Sequence, residues 1–227
     1  MGQQYGLPGL LQRLLSDTTV ERFRLSSIEP PDVTDELLGV MSQAGERIAP
    51  FLHICLQSGC DHTLRQMGRV YDTALYERAV SGARSMIPRV SIGTDLIVGF
   101  PGETDQDFEQ SYEFCRRMGF SRMHVFRYSK RPGTPAAARK DQVAPSVSAE
   151  RSARMLELAD TMRMQQAKEL VGGEELVVVQ YPGRGVSGGL FDVLVDDSLP
   201  LDSLVRVRVH DVLPDATLVG QSSSIIR

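Results

Sequence analysis

The 227-residue sequence is defined first by what is scarce in it. No run of apolar residues is long enough to span a bilayer, so no membrane helix is predicted. The start, MGQQYGLPGLLQRLLSD, lacks a basic segment followed by an apolar one, so no secretory signal is expected and a cytoplasmic soluble protein is the default. There are only 3 cysteines, Cys55, Cys60 and Cys115, an odd number with no paired-motif spacing. That excludes a disulfide framework or a recognisable metal motif, and Cys115 is read as a small buried apolar residue. Positive charge is not in excess: 25 Lys and Arg face 29 Asp and Glu, for a net charge of -4. A surface that binds nucleic acid all over is therefore excluded, while a local basic groove is not. Also missing are Gly-x-Ser-x-Gly, a Walker-type loop, Gly-x-Gly-x-x-Gly, and any Cys or Ser with an evident base.

What is present is ordinary globular composition, 41% apolar and 24% charged, enough for one large domain or one domain plus a small module. From Arg22 to Tyr128 the pattern alternates strand and helix. Strands are predicted at Arg22–Ile28, Phe51–Leu56, Val90–Gly99 and Met123–Tyr128, with helices from Asp35, at His62–Met67, at Ala74–Met86 and from Thr104 to Met118. Thr104 with Asp107 resembles a capping box, and Gly119 can end that helix. The alternation implies parallel strands with helical crossovers, too few to close an eight-stranded barrel, so an open or partial one is expected. Ser129–Pro145 reads as loop, and a charged amphipathic helix follows from Ser148 to about Val171. Beyond Gly172-Gly173 the texture changes to short alternating strands between glycines, which predicts a small antiparallel β-barrel. The expected division is 1–145, a linking helix at 146–171, and 172–227.

In a parallel α/β arrangement ligands gather at the C-terminal ends of strands. There the sequence places Ser27 and Glu29, then Gln57 and Ser58, then Gly99 and Pro101, and finally the Tyr128–Pro135 loop. Turns need such residues anyway, but four polar loops on one predicted edge favour a ligand site of unnamed chemistry. His53 and His124, inside apolar strands, read as hydrogen-bonded core histidines. Asp95 in mid-strand requires a partner, either a ligand or an arginine such as Arg24, Arg69 or Arg127.

Four strings, in this order, resemble one family. They are Arg24-Leu25-Ser26-Ser27-Ile28-Glu29-Pro30, His53-Ile54-Cys55-Leu56-Gln57-Ser58-Gly59-Cys60-Asp61, Asp95 to Thr104, and His124 to Ala136. Together they resemble the radical S-adenosylmethionine (SAM) methylthiotransferases of the MiaB/RimO type, and most of all the MtaB-like branch, which acts on N6-threonylcarbamoyladenosine at tRNA position 37. The resemblance implies a partial TIM-like radical SAM barrel and, at the C-terminus, the OB-like TRAM barrel that binds RNA. It implies SAM and 4Fe–4S clusters as cofactors and tRNA as partner. Three thiolates would hold the radical cluster, with SAM on its remaining iron.

By family position the SAM-facing residues are Ser27, Glu29, Gln57, Ser58, Asp95, Gly99, Pro101, Val125 and Phe126. Arg69, Arg184, Arg206 and Arg208, with His210, are the candidate RNA contacts. The family's Cys-x-x-x-Cys-x-x-Cys string is absent from this sequence, and Gly2–Gly6 looks like the tail of an earlier strand's loop. The chain alone is therefore expected to lack methylthiolation activity. A separate chain carrying the cluster-binding part, or a non-catalytic RNA- or partner-binding role, is the alternative.

Overall fold

The computed structural model describes residues 6–226, so most of the Gly2–Gly6 segment lies outside it. Helix α1 (Leu7–Asp17) leads to strand β1 (Ser27–Ile28) and helix α2 (Asp35–Ala44), whose first turn is capped by the Thr34 hydroxyl accepting from the Leu37 N–H. Strand β2 (Phe51–Ile54) is followed by helices α3 (Asp61–Gln66) and α4 (Thr73–Met86), the latter capped by Asp72. Strand β3 (Ser91–Val98) leads into helix α5 (Asp105–Met118), and strand β4 (Arg122–Arg127) completes the sheet. The Thr104–Asp107 capping box forms in both directions, and Gly119 closes α5 in the left-handed conformation.

The sheet order is β1-β2-β3-β4 and every pairing is parallel. The first strand is shorter than its alternation suggested, because Phe23 makes only an isolated bridge to Ile48 before regular pairing begins at Ser27. Leu52, Ile54, Leu56 and Leu96 are wholly buried against the helices. Each such side chain contributes about 1.5–3 kcal/mol.

The Ser129–Pro145 stretch is not all loop. One helical turn, α6 (Pro135–Ala138), is started by Thr134, whose hydroxyl accepts from the Ala137 N–H, with Pro135 at the first helical position. A long helix, α7 (Pro145–Glu169), then packs across β3, β4 and α5. Among the described residues no helix is long and apolar enough to cross a membrane.

Strands β5 (Glu174–Tyr181), β6 (Arg184–Ser187), β7 (Asp192–Leu194), β8 (Leu204–Val212) and β9 (Leu218–Ile225) close a barrel in the order β5-β6-β7-β9-β8. The expectation of a purely antiparallel barrel needs correction: β7 and β9 are parallel. A ring of five strands cannot alternate direction all the way round, so at least one neighbouring pair must be parallel. Its core is Val177, Val179, Phe191, Val193, Val205, Val207 and Leu218.

The barrel sits on the N-terminal edge of the parallel sheet. Arg24 donates to the carbonyls of Gly188 (3.0 Å) and Ser187 (3.2 Å). Gly189 lies so close to Ser91 that an added Cβ would fall 2.4 Å from its hydroxyl. The opposite, C-terminal edge carries the predicted loops.

Candidate functional site on the open face of the parallel sheet

Side chains alternate across a strand, so each strand presents two sets. Leu52, Ile54, Ile92, Thr94, Leu96 and Val98 face the helices, where the fully buried Tyr76 hydroxyl donates to the Ile54 carbonyl and lies 3.2 Å from Thr94 Oγ1. The other set, Phe51, His53, Cys55, Asp95, Arg122, His124 and Phe126, lies on the open face.

Register brings this second set together. Asp95 pairs with His124 across β3 and β4, and His53 sits opposite Gly93 and Ser27. Gly93 makes room for two rings, since a Cβ there would meet Phe51 at 2.8 Å and His53 at 2.9 Å. Asp95 Oδ1 lies 3.0 Å from His124 Nδ1 and 3.1 Å from His53 Nε2. Arg122 Nε donates to His124 Nε2 at 3.0 Å. An accepting Nε2 puts the proton of a neutral imidazole on Nδ1, from which it is donated to Asp95.

His53 Nε2 is at ion-pair distance from Asp95 yet lacks hydrogen-bond alignment, and this buried nitrogen has no aligned partner. Cys55 Sγ lies 3.9 Å from Asp95 Oδ2. Burial lowers the His53 pKa, against the opposing pull of Asp95. The Cys55 thiol is pushed up by burial first, then by the charges of Asp95 and Glu29.

Two sequence expectations are corrected here. The partners of Asp95 are histidines, not an arginine: Arg24 reaches into the five-stranded barrel and Arg69 pairs with Glu29 at 3.1 Å. His124 is not a core residue, since 43% of its side chain is exposed. In a single sequence, three polar residues in three strands look like isolated anomalies. Only the parallel register makes them one cluster.

The remaining predicted residues fall into smaller groups along the same edge. Ser27 stands beside Cys55, where it opposes the rise of the thiol's pKa. Gln57, at φ 66°, uses its backbone to extend the sheet, donating to the Asp95 carbonyl and accepting from the Ile97 N–H. The Ser58 hydroxyl accepts from the Cys60 N–H. Gly99 donates its N–H to the Glu103 carboxylate, and a Cβ on it would strike Ser148 Oγ at 2.7 Å. Pro101 is buried in the same turn.

Glu103 itself forms a buried ion pair with Arg151 of α7 at 2.6 Å, and burial raises its pKa despite that partner and the Gly99 N–H. Gly99, Val125 and Phe126 meet in a cleft of about 640 Å³ that Tyr128, Gln142 and Ser148 also line. Phe126 as a residue is 52% exposed, and its ring lies beside His124 on the open face, centroids 6.3 Å apart.

Of the candidate RNA contacts, Arg206 bonds Glu46 at 2.9 Å and lies 3.8 Å from Glu174, tying the five-stranded barrel to the turn after α2. Arg184, Arg208 and His210 are exposed on the barrel. Arg69 stands apart from them, on the α/β unit with Glu29.

Residues 6–115 match the Radical SAM superfamily. The chain is 43% identical over 169 residues to the threonylcarbamoyladenosine tRNA methylthiotransferase MtaB of Thermotoga maritima, covering 74% of this chain and 39% of that protein. It is 40% identical over 238 residues to the tRNA-2-methylthio-N(6)-dimethylallyladenosine synthase of Acidothermus cellulolyticus, covering all of this chain and 48% of that one. The chain belongs to the radical SAM methylthiotransferase family.

It spans about half the length, or less, of these curated relatives. Among solved structures, the radical SAM enzyme coproporphyrinogen III oxidase (HemN) from Escherichia coli shares the fold, with a TM-score of 0.52 at 15% identity over 91% of this chain and 52% of that one.

The radical SAM family implies a 4Fe–4S cluster, and the thiols of this methylthiotransferase-family chain do not fit one. Cys55 lies on the open face. Cys60 Sγ bonds Asp107 (3.3 Å) and Gln110 (3.4 Å) beyond the end of β2. Cys115 is fully buried between helix and sheet, where burial pushes its thiol up to about 12. Three cysteines on three separate surfaces cannot present the adjacent thiolates a cluster needs.

Proposed function

We propose that this chain supplies the substrate-facing part of a tRNA methylthiotransferase, acting on an adenosine next to the anticodon at position 37. The name of the Thermotoga maritima relative favours threonylcarbamoyladenosine as the target base, and that of the Acidothermus cellulolyticus relative the dimethylallyl form. In this reading SAM provides the radical chemistry of the family, and the thiolates for the cluster come from outside these 227 residues.

The single observation that carries the proposal is where the polar side chains lie. One face of the sheet holds Asp95 between two histidines, and the adjoining cleft exposes Phe126 beside Gly99 and Val125. An exposed aromatic ring stacks a purine without demanding a particular base. Asp95, held in place by His124, offers a carboxylate acceptor to the edge of that base. The C-terminal barrel, read as a TRAM domain, adds Arg184 and Arg208 for phosphate. Phosphate contacts of this kind give affinity that falls with salt.

The test measures binding of an anticodon stem–loop to the 227-residue chain by fluorescence anisotropy across a salt series. Binding that weakens steeply with salt, and that Phe126→Ala weakens further, is the expected result. No binding at low salt would sink the proposal. The scattered thiols favour a second reading, an RNA-binding module with no redox chemistry of its own. Both readings leave the chain alone without a cluster, so SAM binding separates the two: calorimetric binding of SAM to the 227-residue chain would exclude the second, and its absence would exclude the first.

A further inference from the structure

We infer that His53, Cys55 and Asp95 form a binding site for a borderline-soft divalent cation, zinc above all, on the open face of the sheet. The three side chains supply an imidazole nitrogen, a sulfur and a carboxylate oxygen, and their ligand atoms all lie within 4.8 Å of one another. That donor set suits Zn²⁺, which takes nitrogen, sulfur and oxygen together and has no geometric preference of its own.

Tetrahedral zinc with bonds of about 2.0–2.3 Å needs its ligand atoms roughly 3.3–3.8 Å apart. Asp95 Oδ1 and His53 Nε2 are 3.1 Å apart, and Asp95 Oδ2 and Cys55 Sγ are 3.9 Å apart. Each neighbour meets its own oxygen of Asp95 near that range, and all three ligand atoms lie within 4.8 Å, so side-chain rotations of up to about an ångström seat the ion.

Two further features point to a ligand. The His53 side chain is only 10% exposed, and its Nε2, although turned toward Asp95, has no aligned hydrogen-bond partner. A buried imidazole nitrogen in that state is costly unless something accepts its lone pair or its proton. The second feature is His124, which holds Asp95 Oδ1 at 3.0 Å while Arg122 fixes its tautomer. Outer partners of this kind orient a metal-binding carboxylate.

Asp95 retains 24% exposure, so a fourth coordination position faces the open side for water or an incoming donor atom. As the metal–sulfur bond forms, the Cys55 thiol releases its proton to solvent and no electron is exchanged. The site does not rest on the methylthiotransferase reading and involves neither Cys60 nor Cys115.

The experiment titrates the reduced, metal-free 227-residue chain with Co²⁺, then displaces it with Zn²⁺. One equivalent should bind, with a thiolate-to-cobalt charge-transfer band that zinc abolishes. Cys55→Ser should remove that band, and Asp95→Asn should weaken binding by at least about tenfold. His124→Ala should weaken it by roughly ten- to a hundredfold, as outer-shell changes do. Cys60→Ser should leave the spectrum unchanged.

Folding of each variant is checked by circular dichroism. A readout that needs no variant is the alkylation rate of each cysteine in the wild-type chain, mapped by mass spectrometry: Zn²⁺ should protect Cys55 and not Cys60. Sub-stoichiometric cobalt, a charge-transfer band surviving in Cys55→Ser, or alkylation of Cys55 indifferent to zinc would each overturn the site.

Discussion

The same strands of the parallel sheet carry two unlike faces. Toward the helices, Ile54, Leu56, Ile92, Leu96 and Val98 are sealed, and the polar atoms among them are satisfied: Thr94 Oγ1 donates to the Ile54 carbonyl and accepts from the Leu56 N–H. On the other face His53, Cys55, Asp95 and His124 hold one another at 3.0 to 3.9 Å, and Phe126 stands half in solvent. One face is built as a core is built. The other keeps ionisable groups where burial is incomplete, an arrangement that adds little to stability and resembles a site more than a core.

Substitutions can break or sharpen that contrast. Leu96→Ala, at a position with no exposure, should destabilise by about 2–5 kcal/mol in a denaturant titration. Its neighbour Asp95→Asn should change stability by less than about 1 kcal/mol. If the two cost the same, the open face is structural after all. Between these two lies Arg24→Ala, which removes two charge-assisted hydrogen bonds to the five-stranded barrel and should cost about 1.5–3 kcal/mol. Smaller again, Phe126→Ala should leave the denaturant midpoint unchanged while anticodon stem–loop binding loses about 1–3 kcal/mol, the worth of one stacked base. Loss of folding instead would place Phe126 in the core.

Much of the closed face was legible in advance, because a hydrophobic strand, a capping Thr104 and a terminating Gly119 are local signals. The open face was legible only in fragments. His53, Asp95 and His124 are separated by 29 to 71 positions in the chain, and their meeting depends on parallel register that no single sequence records. His124 was read as core because Met123 and Val125 flank it with apolar residues, yet a half-buried edge strand has the same alternation. Strand β6 is hard to see in the sequence because Gly183, Gly185 and Gly188 look like turn residues. Gly185 is in fact glycine because the barrel wall is tight there: a Cβ would meet Val177 at 2.4 Å. The alternation of strand and helix, followed by short strands between glycines, is itself enough to suggest a parallel sheet with a small β-barrel behind it.

The mildest test of the two-face contrast is electrostatic. Burial holds the His53 pKa below its ordinary 6.5, opposed by Asp95 and assisted by His124 and Arg122. At pH above 6.5 the imidazole is neutral folded or unfolded, and its contribution is fully present. As pH falls through 6.5 the unfolded chain takes up a proton that the folded chain resists, so stability is lost until the folded pKa is passed. Two buried carboxyls work the other way. Burial pushes Glu103 and Glu175 up, so each favours the folded state at acid pH and loses that contribution as pH rises through its folded value. The raw stability curve therefore mixes opposing slopes, and the informative quantity is the difference between wild type and His53→Gln. Urea midpoints at pH 7.5, 6.5 and 5.5 should converge toward the acid end, the wild type falling more than the variant. Parallel curves would mean that His53 exchanges its proton as freely in the fold as in water, and the open face would then be solvent-like down to its strands.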